Sequence, residues 1–252
     1  MEPYKLEQRE DGLLVFTINR PDKRNAINYE VMDGLEDALQ ISNEGVNKAL
    51  VITGTGDRAF CSGGDLSTFH NLKTEKEAFE MLNKMSKILV ELFFHPKPTI
   101  ALINGIAVGG GCELAAACDY RIASRHVKAG FIQGTLAITT GWGGGTFLSE
   151  KLPHANAMKM LMEAELYDAE QLVELGFFQM AIDDELLEGC KRFLEKMLVL
   201  EGDVLKAYKL LLLNKWKKSE IEWRVNEEVS NCARLWEGEA HHLQVLKFLE
   251  RK

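Results

Sequence analysis

The chain has 252 residues, enough to bury a substantial core without disulfide or metal staples. Hydrophobic residues make up 46% and charged residues 27%, a globular balance that argues against disorder. Thirty Lys and Arg against 38 Asp and Glu leave a net charge of −8, which argues against nucleic acid or an anionic membrane as partner. The N-terminal Met1-Glu2-Pro3-Tyr4-Lys5-Leu6-Glu7 lacks the apolar stretch of a signal peptide, and no apolar run approaches bilayer length. Five cysteines, odd in number and without CxxC spacing, read as reduced packing residues and point to a cytoplasmic location.

Residues 13–19 predict a strand with Leu14, Phe16 and Ile18 on one face, followed by the loop Asn19-Arg20-Pro21-Asp22-Lys23-Arg24-Asn25. Residues 29–42 have helical spacing, and 49–53 form a short buried strand. Thr74-Glu75-Lys76-Glu77 has the form of a capping box and opens a helix to about Phe94, which His95-Pro96-Lys97-Pro98 stops. Residues 99–103 are a third buried strand, before Gly109-Gly110-Gly111. Strands separated by helices in this order predict an α/β core. After Pro153 the pattern is helical, with segments beginning near Asp168, Asp184, Asp203 and Ser219. Val225, Val229, Cys232 and Trp236 form one helical stripe. No linker or internal repeat is visible, and the organisation expected is a core over 1–190 with a C-terminal helical region over 191–252.

Two glycine turns sit where a strand hands over to a helix: Phe60-Cys61-Ser62-Gly63-Gly64-Asp65-Leu66 and Gly105-Ile106-Ala107-Val108-Gly109-Gly110-Gly111-Cys112-Glu113. Such turns either simply redirect the chain or bring two backbone amides to one point as an oxyanion hole, and spacing alone leaves both open. Glu113 opens the apolar run 113–118, where a carboxylate is costly unless used or paired. It is either a proton-transfer group or an acid answering the helix dipole. Asp22-Lys23-Arg24 either meets phosphates or is a solvated charge run. GxxxxGK[ST], GxSxG and GxGxxG are all absent, and the six histidines lack metal spacing, so no metal is predicted.

Taken together, the motifs resemble the crotonase (enoyl-CoA hydratase/isomerase) family. The resemblance runs from about Tyr4 to the C-terminus through Asn19-Arg20-Pro21 with Asn25-Ala26, both glycine turns, Cys118-Asp119-Tyr120-Arg121-Ile122-Ala123, and Asp168-Ala169-Glu170 leading to Gly176. It implies an α/β spiral of ββα turns with a C-terminal helical trimerisation region. It also implies an acyl-CoA thioester as substrate, no separate cofactor, and a homotrimer or dimer of trimers. The oxyanion-hole amides would be those of Gly64 and Gly110, with Glu113 as catalytic acid or base. Ala26, Ser62, Asp65, Leu66 and Trp142 would contact substrate or CoA, with Lys23 or Arg24 near its phosphates.

One departure bears on the chemistry. Hydratases of the family carry a second glutamate 20 residues after the first, and here that place holds Gln133, with no acid anywhere in 129–140. Gln133 is therefore the second residue of the expected catalytic group, yet it cannot act as an acid or base, which puts two-glutamate hydration in doubt. The family default is hydratase or isomerase chemistry through a thioester enolate. The rival is decarboxylation of an alkylmalonyl-CoA, because Phe131-Ile132-Gln133 through Trp142-Gly143-Gly144 is similar to short-chain malonyl-type decarboxylases of the family. An inactive acyl-CoA-binding protein is the alternative of another class.

Overall fold

A computed structural model describes residues 2–183 and 185–250. The chain opens with β1 (Tyr4–Gln8) and β2 (Leu13–Ile18), an antiparallel pair, and then α1 (Tyr29–Glu44). β3 (Ala49–Gly54) and β4 (Ala59–Cys61) lead through the short α2 (Leu66–Phe69) into α3 (Glu75–Phe93). β5 (Thr99–Ile103) and β6 (Ile106–Val108) precede α4 (Gly110–Ala117), and β7 (Tyr120–Ser124) and β8 (Lys128–Gly130) precede a 3-10 turn, Gln133–Leu136. Then come α5 (Gly144–Lys151), α6 (His154–Glu163), β9 (Tyr167–Asp168), α7 (Ala169–Glu174) and β10 (Met180–Ile182). The helices α8 (Leu186–Leu198), α9 (Gly202–Lys218), α10 (Ile221–Trp236) and α11 (Glu239–Glu250) close the chain.

Three of these units repeat one plan. In β3–β4, β5–β6 and β7–β8 a longer strand joins one sheet and the short strand after it joins a second. The first sheet has the order β1-β2-β3-β5-β7-β10 and the second β4-β6-β8-β9. β4, β6 and β8 run parallel, so their C-terminal ends lie side by side. This repeat is a correction to the sequence reading. It escapes detection because a 19-residue helix follows β4's turn, an 8-residue helix follows β6, and only a 3-10 turn follows β8. The short strands also lack enough residues to show a period.

The inner strands β2, β3, β5 and β7 of the first sheet are buried on both faces, as expected for parallel strands. Leu14, Phe16 and Ile18 of β2 join the main core with Leu50, Ile52, Ala101 and Ile103. Leu13 and Val15 face the other way, onto a smaller core closed by Cys190 and Leu194 of α8. The capping box at Thr74 forms as predicted: Thr74 Oγ1 accepts from Glu77 N while the Glu77 carboxylate takes the Thr74 amide. Val225, Val229, Cys232 and Trp236 are all buried, so the stripe read in the sequence is the face that α10 lays on the core. Asp184, the expected start of one helical segment, lies outside the described residues.

α4 is held at its C-terminal end by cations. Lys151 Nζ donates to the carbonyls of Ala116 (2.7 Å) and Ala117 (3.1 Å), and Arg121 Nη1 to that of Cys118 (2.8 Å). This satisfies the last-turn acceptors and complements the helix dipole. The Lys151 ammonium also sits 4.8 Å from the Phe93 ring centre, and the Phe93 ring lies 4.1 Å from that of Trp216 on α9. The C-terminal helices are thus wedged onto the helix that leads to the site. Trp216→Ala should cost about 3–5 kcal/mol of stability, seen as a lower urea midpoint with secondary structure retained before the transition.

Candidate active site

The site gathers at the C-terminal ends of β4, β6 and β8. Gly64 follows Cys61, Gly110 follows Val108, and Gln133 follows Gly130, each two or three residues beyond its strand. Gly63 and Gly109 have φ of +89° and +55°, which let the chain leave each strand sharply without a side chain. The two turns touch: a Cβ on Gly63 would lie 3.2 Å from Gly110 N, and one on Gly111 would lie 2.1 Å from the Cys61 carbonyl oxygen.

The direction of the amides follows from their neighbours. Ile27 N donates to Gly63 O and Asp65 N to Ile27 O, a parallel bridge that turns Gly64's own N–H away from Ile27. Gly110 is the first residue of α4, so its N–H has no intrahelical acceptor. Among the described residues neither amide donates a hydrogen bond. Two free donors on touching turns match what stabilisation of an oxyanion requires.

Trp142 packs against both. A Cβ on Gly110 would meet its Cζ3 at 2.1 Å, and one on Gly64 would meet its Cζ2 at 3.5 Å, so Gly110 must be glycine for the indole to lie where it does. The indole N–H is buried without a partner.

Glu113 is 3% exposed and its carboxylate takes four donors. Oε2 accepts from Trp142 N (2.8 Å) and Gly144 N (2.9 Å), and Oε1 accepts from Gln133 Nε2 (2.9 Å) and Gly141 N (3.3 Å). The side chain therefore ties α4 to the turn after β8 and to the start of α5, whose N-cap Gly143 offers no side-chain acceptor. Glu228 of α10 completes that cap by accepting from Gly145 N (3.0 Å) and Thr146 N (2.8 Å). Burial is the main cause that raises the Glu113 pKa to about 7, and the Glu228 charge adds to it, while the backbone donors oppose both. Glu113 is thus a dipole-answering acid, though toward α5 rather than its own helix, and also a carboxyl that titrates near neutrality.

The remaining expected residues fall into two groups. The Lys23–Arg24 loop packs beside Ser62: Ser62 N donates to Arg24 O (3.2 Å), and the Lys23 and Arg24 side chains are exposed. Leu66 begins α2 and lines a cavity of about 190 Å³ with Trp236 and residues of α11. Asp65 and Ala26 are taken up by the fold. Asp65 Oδ1 accepts from Ser67 N (2.9 Å), capping α2, and Oδ2 pairs with Arg20 at 2.6 Å. Burial pushes the Asp65 pKa up, but the Ser67 and Arg20 hydrogen bonds outweigh it and hold the carboxyl below its usual range. Ala26 O accepts from Arg20 Nη1 (2.6 Å), so Arg20 clamps the loop that carries Lys23. A larger cavity, about 460 Å³ between α3 and α10, includes none of Gly64, Gly110, Glu113, Gln133 or Trp142. Glu228 was missed in the sequence because it acts from α10, 115 residues beyond Glu113.

The chain belongs to the enoyl-CoA hydratase/isomerase family, whose profile matches residues 8–252. It is 34% identical over 194 residues to a crotonyl-CoA hydratase of Syntrophomonas wolfei, covering 76% of this chain and 74% of that one. It is 28% identical over 245 residues to an ethylmalonyl-CoA decarboxylase of Xenopus laevis, covering 96% and 81%. The crystal structure of an enoyl-CoA hydratase from Bacillus halodurans superposes with a TM-score of 0.88 at 25% identity over 97% of this chain and 99% of that one. The crotonase fold expected from the motifs is therefore the fold present. No described helix is long and apolar enough to cross a membrane, and the described residues hold no cluster of three or more His, Cys, Asp or Glu able to bind a metal.

The raised pKa has a consequence for stability. Glu113 goes from an ordinary value of 4.5 to about 7 in the fold, so the folded chain takes up a proton between those values. Its contribution to stability is full below pH 4.5 and is lost as pH rises through about 7. Urea midpoints compared at pH 5.5 and 8 should therefore fall less with rising pH in Glu113→Gln than in the parent chain.

Proposed function

We propose that the protein decarboxylates a short alkylmalonyl-CoA through a thioester enolate, with Glu113 as the single proton-transferring group. The observation that carries this reading is the hydrogen bond from Gln133 to Glu113: the second acidic place holds a neutral amide bound to the first acid. Hydration asks one group to activate water and usually a second to protonate the α-carbon, whereas decarboxylation asks only for a proton donor. A carboxyl with a pKa of about 7 is in part protonated at neutral pH and suits that task. The decarboxylase relative also matches 96% of the chain against 76% for the hydratase relative.

In this reading the thioester oxygen accepts from the Gly64 and Gly110 amides. The bond between the α-carbon and the carboxylate breaks, CO₂ leaves, and the electron pair becomes the enolate those amides stabilise. Glu113 gives its proton to the α-carbon and regains one from water. Trp142 shields the α-carbon side from solvent, which strengthens the amide contacts. Ser62 and Leu66 line the CoA arm, and Lys23 and Arg24 meet its phosphates. The amide hydrogen bonds of Asp65 and Ala26 keep that wall in shape.

Exposed apolar side chains on the C-terminal helices, including Tyr208 (67%), Leu211 (67%) and Trp223 (61%), support self-association, and we take the assembly to be a trimer or dimer of trimers. Five buried, unpaired thiols accord with a reducing, cytoplasmic setting. Isomerisation of an enoyl-CoA is the second reading, favoured by the match to a family of hydratases and isomerases, because it too can run on one base.

Incubation with ethylmalonyl-CoA, a 2-enoyl-CoA and a 3-enoyl-CoA, followed by mass spectrometry, should give loss of CO₂ from the first as the fastest conversion. Faster conversion of either enoyl-CoA would favour the second reading or the family default. Glu113→Gln should lower turnover by about 10²–10⁴-fold with little change in CoA affinity. Turnover by the parent protein should fall as pH rises above about 7, where the acid is lost.

A further inference from the structure

The two oxygens of Glu113 are not equivalent. Oε2 holds two short backbone bonds, from Trp142 N and Gly144 N, which leave no place for a proton. Oε1 holds one long backbone bond, from Gly141 N at 3.3 Å, and the bond from Gln133 Nε2. A proton added to Glu113 therefore goes to Oε1, where it confronts the NH₂ group of Gln133. Meanwhile Gln133 Oε1 is buried and receives no hydrogen bond. An unpaired buried acceptor is costly, and a carboxamide can exchange its two ends at constant shape by turning about its last torsion. Turned over, Gln133 would accept the Glu113 O–H on its own oxygen. Room exists for this because the carboxamide lies against Gly109, where a Cβ would be 3.7–4.0 Å from its atoms.

We propose that Gln133 is a positioning residue that pairs with Glu113 in both protonation states by turning over, and so fixes the transferable proton on Oε1. With Glu113 protonated, Gln133 accepts from it; with Glu113 ionised, Gln133 donates to it. When the proton passes to the α-carbon, one O–H bond breaks and one C–H bond forms, and the carboxylate left behind is met by the returning NH₂. Water then restores the proton. The titratable groups around Glu113 are Glu228 and Cys232 on α10 and Cys112 on α4. Burial holds both thiols protonated well above neutrality, and Glu228 spends its carboxylate on Gly145 and Thr146, so Gln133 is the partner able to change with the proton. The reaction step of this inference rests on the proposed function, whereas the pairing is a property of the free protein.

The test therefore uses the free protein. Infrared difference spectra locate the Glu113 carboxyl by its absence in Glu113→Gln, and side-chain ¹⁵N NMR follows the Gln133 amide across pH. The Gln133 resonances should shift with the same midpoint as the Glu113 carboxyl. Gln133→Met, which removes a charge-assisted donor from the ionised form and a weaker neutral acceptor from the protonated form, should raise that midpoint by less than about one pH unit and lower kcat more than it raises KM. Gln133→Glu should replace the single midpoint with two separated steps, as for carboxyls sharing a proton. Gln133 resonances indifferent to Glu113 titration, or a Gln133 pH response that persists unaltered in Glu113→Gln, would overturn the inference. Those readings are independent of whether any thioester is decarboxylated. Loss of turnover on ethylmalonyl-CoA with the pairing intact would count against the proposed function alone.

Discussion

The structure depends on one buried carboxylate. Glu113 leaves the first turns of α4, whose leading amide faces the proposed thioester position, and closes onto the amides that begin α5 and onto the turn after β8. A helix that starts with Gly143-Gly144-Gly145 has no side chain of its own to satisfy its first amides, and a carboxylate buried among apolar residues needs donors. Each deficit answers the other. The same bonds that make the acid tolerable in the core also place it beside the paired glycine turns, so position and reactivity have a single cause.

Burial and hydrogen bonding pull the acid in opposite directions, and burial wins. Four donors would hold a solvated carboxylate ionised at low pH, yet desolvation and the neighbouring Glu228 bring Glu113 to about 7. The result is an acid poised where proton donation and recovery are both accessible. The cations Lys151 and Arg121 at the other end of α4 anchor the helix, so that its leading amide is held rather than frayed.

The parts legible in the sequence were those with local signals. Period-two alternation located β2, and its two faces turned out to serve two cores. The Thr74–Glu77 spacing located the start of α3, and the stripe on α10 located its buried face. The glycine turns and Glu113 were visible as a constellation, whereas alone the turns read equally well as bland turns and Glu113 read better as a helix acid. What the sequence hid was non-local. The second sheet is built from strands of two or three residues, too short for any period. Glu228 joins the site across 115 positions, and the assignment of Asp65 to a cap and an ion pair with Arg20 depends on a loop 45 residues earlier. The meaning of Gln133 also needed coordinates, because only its hydrogen bond shows that the missing acid is replaced by a partner of the remaining one.

The claim that Glu113 delivers a proton to an enolate held by two amides is tested most directly by the stereochemistry of product formed in D₂O. Ethylmalonyl-CoA turned over by the parent protein should yield butyryl-CoA carrying one deuterium at the α-carbon in a single configuration, because the donor stands on one face. Glu113→Gln, releasing the enolate to solvent, should yield mixed configuration at a much lower rate. Product of mixed configuration from the parent protein, or of a single configuration at an undiminished rate from Glu113→Gln, would contradict the account.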